Sequence, residues 1–137
     1  MPALYLALDP ITAIKEANQG LAHKIEPCVL CSYEVDCDDI ADLSTDEGRR
    51  SHGVEWGVMD CAWFAFLTDG KEPPSWPVVR RLRDRNFAGV LVPSFAPGAT
   101  EADRNLVLWQ WTDRLPHSVT VFDPSGKLPK DQLSWLK

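Results

Sequence analysis

Hydrophobic and polar positions divide the chain into short segments. Residues 3–8 are apolar without a break, which predicts a short, largely buried strand. Asp9-Pro10 then reads as a helix start, with an acceptor at the N-cap and proline at the first helical position. The helix is predicted over Ile11–Gln19, with Ile11, Ile14 and Ala17 on its buried face and Gly20 as its stop. Glu16 falls near those residues on the helical wheel, at the margin of that face. A second strand is predicted over 28–35, where alternation places Val29, Cys31, Tyr33 and Val35 on one side. Residues 36–53 are polar and acidic and read as an exposed connection ending in Gly48-Arg49-Arg50-Ser51-His52-Gly53.

A helix is predicted over 54–67, a loop at 71–74, and a helix over 76–86 capped by Ser75 with Pro77 in its first turn. Strands follow at 87–92, 105–111 and 118–122. Pro124-Ser125-Gly126 is a turn, and the tail from Lys127 is a short helix or extended. No repeat, low-complexity tract or linker divides the chain, and the order of elements predicts one α+β domain over 1–137.

Composition narrows the class. With 137 residues, 45% hydrophobic and 25% charged, the chain has the make-up of a globular domain with a real core. A net charge of −6 argues against non-specific nucleic-acid binding, which neutralises phosphates with Lys and Arg. It leaves room for a local basic pocket that holds a dinucleotide. The longest apolar run, around Val54–Leu67, is interrupted by Glu55 and Asp60 and falls short of the roughly 20 residues of a membrane span. The N-terminus lacks the basic start and cleavage site of a signal peptide, so a cytoplasmic protein is expected.

Cys28, Cys31, Cys37 and Cys61 lack a second closely spaced ligand pair, and His23 and His117 have no metal-binding neighbours. Buried free thiols, no disulfide and no metal are expected. Neither GxGxxG nor GxxxxGK[ST] occurs. The six tryptophans are spread along the chain, which suits core packing better than one aromatic cage.

Four polar residues stand out, two of them within elements and two at strand boundaries. Tyr5 has a plain role available, packed at the core margin with its hydroxyl satisfied. Glu16 suits a solvated helix position. Ser94, closing the strand Ala88–Pro93, and Asn105, opening the next, both suit turns. The alternative is that strand ends converge these groups on one sheet edge, where a ligand can sit. The Arg49-Arg50-Ser51-His52 run reads as a solvated basic patch, or as a phosphate contact through the planar guanidinium fork.

Leu4-Tyr5-Leu6-Ala7-Leu8-Asp9-Pro10, Thr12-Ala13-Ile14-Lys15-Glu16, Val92-Pro93-Ser94 and Arg104-Asn105-Leu106-Val107-Leu108, in this order and with Trp63 and Gly89 between, resemble the RES domain. The resemblance runs from Pro2 to about Pro129. It implies a mixed β-sheet core with flanking helices, in the manner of the diphtheria-toxin-like ADP-ribosyltransferase fold. It also implies the toxin of a type II toxin–antitoxin pair, a growth inhibitor whose partner is an Xre-type helix-turn-helix antitoxin. DNA is then contacted only through the antitoxin.

The substrate implied is NAD, cleaved at the nicotinamide–ribose bond with ADP-ribose passing to water, phosphate or a protein. Glu16 would be the catalytic carboxylate, Tyr5 would hold the nicotinamide ring or its ribose, and Ser94 and Asn105 would position the substrate. The family's Arg, expected to hold the NAD diphosphate, lies upstream of the Tyr, and this chain begins after that position. Two rivals follow: a protein-specific ADP-ribosyltransferase with a reduced NAD site, and a degenerate domain that only binds its antitoxin.

Overall fold

The apolar run at the start of the chain forms β1 (Leu4–Ala7), and Asp9-Pro10 opens α1 (Pro10–Asn18). The computed structural model describes residues 3–18, 30–59, 70–96, 98–122 and 124–126. The remaining elements are β2 (Tyr33–Cys37), β3 (Ile40–Asp42), α2 (Asp46–Ser51), α3 (Trp56–Met59), α4 (Ser75–Asp84), β4 (Gly89–Pro93), β5 (Arg104–Leu108) and β6 (His117–Val121).

β1, β5, β4 and β3 form a mixed sheet in that order, antiparallel except for the β3–β4 pair. β2 and β6 pair antiparallel in a second, two-stranded sheet. The architecture is therefore α+β with a mixed sheet, as the order of elements predicts. Because side chains alternate along a strand, the register separates the four-stranded sheet into two apolar faces. Val90, Val92 and Val107 belong to a core with Ala41, Leu43, Val54, Leu82 and Trp109. Leu4, Leu6, Leu91, Leu106 and Leu108 turn the other way, into a core with Trp111, Val119, Tyr33 and Cys37 of the region around the smaller sheet. α4 covers the first face through Val78, Val79 and Leu82, spaced for one side of a helix.

Several boundaries differ from the sequence reading. Residues 36–53 are not one exposed connection, since β3 and α2 lie within them and Ala41, Leu43 and Arg49 are buried. The signal for α2 is local: Thr45 Oγ1 accepts from the Gly48 amide at 3.0 Å, with Asp46 and Glu47 in the first turn. The second strand begins at Tyr33 and runs to Cys37; residues 19–29, with the expected stop at Gly20, lie outside the described residues.

α4 starts at Ser75 itself, so Ser75 is not its cap; Pro74 takes that place without a side-chain bond. Its end is a Schellman turn, with Asn86 at φ 67° and the Phe87 amide reaching the Leu82 carbonyl at 3.1 Å. β1 is less buried than its composition suggests because it is the outer strand in the sheet order. Trp109 and Trp111 are core residues as expected, but Trp56 and Trp76 are 49% and 45% exposed; Trp63 and Trp135 lie outside the described residues. Among the described residues, no helix is long and apolar enough to cross a membrane.

Gly89 leaves no room for a side chain in the sheet, since a Cβ there would stand 2.4 Å from the Val107 carbonyl oxygen and 2.7 Å from Leu108 Cδ2. Both atoms belong to the paired strand β5, so relief requires the strands to separate. Gly89→Ala is therefore expected to destabilise the fold by about 1–3 kcal/mol, read as a lower urea midpoint. A midpoint equal to that of the parent would show that the sheet tolerates the methyl group.

Candidate functional site

The orientation of α1 decides what reaches the sheet edge. Asp9 Oδ1 accepts from the amides of Ile11 at 2.7 Å and Thr12 at 3.4 Å, the N-cap that the sequence predicts. The buried side of the helix is not the predicted one. Ile11 and Ile14 are 59% and 50% exposed, and Ala17 is exposed as well, whereas Thr12 is fully buried. Lys15 and Glu16 are half-buried. The helix turns its polar stripe inward because each of these groups finds a partner on the chain that joins β4 to β5.

Glu16 meets two of the predicted residues directly. The Ser94 hydroxyl donates to Glu16 Oε1, and Asn105 Nδ2 donates to the same oxygen at 2.6 Å. Ser94 directly follows β4 and is 7% exposed; its amide donates to the Asp103 carbonyl at 2.9 Å, and its hydroxyl oxygen accepts from the Ala96 amide at 3.3 Å. Asn105 is the second residue of β5, flanked by Ala7 on one strand and Val92 on the other. A carboxylate only accepts, so the Asn105 amide must turn its nitrogen to Glu16. Asn105 Oδ1 is then buried with no partner among the described residues.

Tyr5 is not drawn into this cluster. It is 73% exposed, not packed at the core margin as its plain structural role requires. Its place is two positions before Ala7, the register partner of Asn105, so it shares that face of the sheet. A cleft of about 170 Å³ is lined by Tyr5, Leu6, Ala7, Ala13, Glu16 and Asn105. Tyr5, Leu6, Ala7 and Ala13 also wall a broader trough of about 570 Å³, which continues past Leu8, Leu30 and Tyr33.

A second carboxylate lies on the far side of the contact. Asp103 is 6% exposed and accepts from Thr12 Oγ1 at 2.6 Å, Lys15 Nζ at 2.9 Å, and the Thr100 amide at 2.8 Å. The Thr12 hydroxyl above all, then the Thr100 amide and Lys15, hold its carboxyl well below the usual carboxylate range. The sequence reading missed Asp103, Thr12 and Lys15. Thr12 and Lys15 do stand one turn apart on the helix of Glu16, but nothing local says that a loop aspartate reaches them.

The Arg49 run is not a solvated patch throughout. Arg49 is 7% exposed, donates to the Leu43 carbonyl at 2.9 Å, pairs with Asp46, and lies 4.8 Å from the Trp56 ring centre. Trp56 meets Phe95, the residue after Ser94, edge to face at 5.1 Å. Cys31 and Cys37 are free thiols, and burial, with Asp36 and Asp38, pushes the Cys37 thiol up; Cys28 and Cys61 lie outside the described residues. Among the described residues, no group of His, Cys, Asp and Glu is placed to hold a metal ion.

The elements that carry these contacts are those of a known family, for the profile of the RES domain matches residues 1–131. The chain belongs to the RES family. RES domains are a toxin-associated family, and the match takes in β1, α1, β4 and β5 with all four predicted site residues. No curated protein and no solved structure matches the chain.

The Asp103 network predicts an acid response for this RES domain. A carboxyl whose folded-state pKa is depressed contributes stability that is present above its unfolded pKa, about 3.9, and is lost as pH falls through the folded value. The wild-type protein should therefore lose part of its stability as pH falls below about 4, and Asp103→Asn should flatten that part of the profile. Parallel acid limbs in wild type and variant, measured by urea unfolding, would show that Asp103 titrates alike in both states.

Proposed function

We propose that this RES domain is an NAD-consuming toxin. The observation that carries the reading is the convergence of Ser94 and Asn105 on the Glu16 carboxylate at the wall of the cleft shared with Tyr5. In the proposed reaction the bond between nicotinamide nitrogen and ribose C1′ breaks and its electron pair leaves with nicotinamide. C1′ then bonds to an oxygen or nitrogen of the acceptor, which gives up a proton. Positive charge develops on the sugar, and a fixed carboxylate beside it lowers the barrier. Ser94 and Asn105 hold the carboxylate in place before substrate arrives. Asn105 lines the cleft where it can position the substrate, and exposed Tyr5 offers its ring to nicotinamide or its ribose.

The mixed sheet with flanking helices suits an ADP-ribosyltransferase-like fold. The trough that opens past Tyr5 favours an acceptor larger than water, which supports the protein-specific transferase as second reading. Arg49 already pairs with Leu43 O and Asp46, so it is a poor substitute for the family's diphosphate-binding Arg.

NAD labelled separately in nicotinamide and adenine tests both readings. Free nicotinamide is expected from the purified protein, alone or with lysate, and the adenine label reports the acceptor: free ADP-ribose, its phosphate ester, or protein. No nicotinamide release under either condition rejects NAD cleavage and returns the chain to a binding domain. Glu16→Gln keeps an oxygen for Ser94 and Asn105 but removes the charge, so release should fall by about 10²–10³-fold with the fold intact. The same variant should no longer arrest growth.

The partner proposed is an Xre-type antitoxin whose terminal segment covers the cleft, with Tyr5, Leu8, Ile11 and Ile14 offering exposed apolar surface around it. This acidic chain leaves DNA binding to the antitoxin. A complex that still admits NAD to the Glu16 cleft would overturn direct occlusion.

A further inference from the structure

We infer that Asp103 is a positioning residue that sets the Glu16 carboxylate against Ser94 and Asn105 by fastening α1 to the β4–β5 connection. The inference rests on the reading of Glu16 as the carboxylate that acts on substrate. Its physical basis is that one residue holds both sides of the Glu16 contact. Through its side chain Asp103 takes Thr12 Oγ1 at 2.6 Å and Lys15 Nζ at 2.9 Å, and Lys15 directly precedes Glu16. Through its carbonyl it takes the Ser94 amide at 2.9 Å, and Asn105 stands two residues further along the chain.

The carboxylate is itself held. Thr100 donates to Oδ2 through its amide at 2.8 Å and its hydroxyl at 3.3 Å, and the Asp103 amide donates back to the Thr100 carbonyl at 3.0 Å. Asp103 is therefore a fixed post, not a mobile surface charge. Apolar packing alone would not place α1 this way, because Ile11, Ile14 and Ala17 point outward. Hydrogen bonds are directional, so two of them, one turn apart on α1, fix the rotation of the helix about its axis. That rotation decides whether Glu16 reaches Ser94 and Asn105.

Thr12 is the best place to test this, because it is far from Asn105 in sequence and its substitution leaves the residues of the β4–β5 connection unchanged. Thr12→Val removes the hydroxyl at nearly constant volume, and Thr12→Ser restores it. Two readouts are needed: kcat and KM for nicotinamide release from NAD, well below the melting temperature, and hydrogen-exchange protection of the Asn105 side-chain amide by NMR. Thr12→Val is expected to lower kcat by about ten- to a hundredfold, as for a displaced catalytic group, with KM little changed and Asn105 protection reduced. Thr12→Ser should recover most of both.

A folded Thr12→Val protein with wild-type kcat and wild-type protection overturns the inference. So does a Thr12→Ser protein as impaired as Thr12→Val, since packing and not the hydroxyl would then matter. If Thr12→Val fails to fold, Lys15→Met at the more exposed arm of the clasp is judged by the same two readouts. If the wild-type protein releases no nicotinamide, the catalytic reading of Glu16 falls, and the Asn105 protection alone decides whether the clasp positions Glu16.

Discussion

A carboxylate drawn even partly out of water has to be met by donors, and this domain carries two, half-buried Glu16 and buried Asp103. Glu16 is met by Ser94 and Asn105, and Asp103 by Thr12, Lys15 and Thr100. Desolvating a charge without partners is costly, so the side of α1 that meets these groups carries their donors. α1 accordingly lies on the sheet with Thr12 fully buried and Ile11 and Ile14 exposed. The polar contacts bridge distant parts of the chain and, with the β1–β5 pairing, tie the N-terminal strand and helix to β4 and β5.

The remainder of the fold supplies the platform for this arrangement. β4 and β5 run antiparallel at the middle of the sheet, with apolar residues on both faces and Gly89 leaving room for β5 where a side chain would clash. A rigid strand pair fixes Ser94 at one end of β4 and Asn105 at the start of β5. The polar side chains can therefore sit at the sheet edge without loosening the core. Site and scaffold are separate in chemistry but joined through the connection that bears Asp103.

As a member of the RES family, the chain brings the expected residues together in two different ways, with Tyr5, Glu16 and Asn105 lining one cleft and Ser94 bonded to Glu16. Glu16, Ser94 and Asn105 form a hydrogen-bonded unit, whereas Tyr5 is an exposed wall beside it. This division sets a hydrogen-bonded charged centre beside an exposed aromatic surface.

What the sequence determined by itself was local. Asp9-Pro10 specified the start of α1 through the cap, alternation and β-branched content specified β4, β5 and β6, and the order of short motifs specified the family. These signals depend on neighbours within a few residues, so they survive reading along the chain. The same locality explains the errors. The Ile11, Ile14 and Ala17 stripe looked like the buried face because hydrophobic spacing was the only guide to it, and a distant aspartate outweighed that guide. Arg49 looked solvated because its charge was visible in sequence, while the Leu43 carbonyl and the Trp56 ring that receive it were not. Tertiary structure decided which way α1 faces and which donors reach Glu16, because hydrogen-bond partners some 80 to 90 positions apart are chosen by the packing of the sheet and not by any rule of spacing.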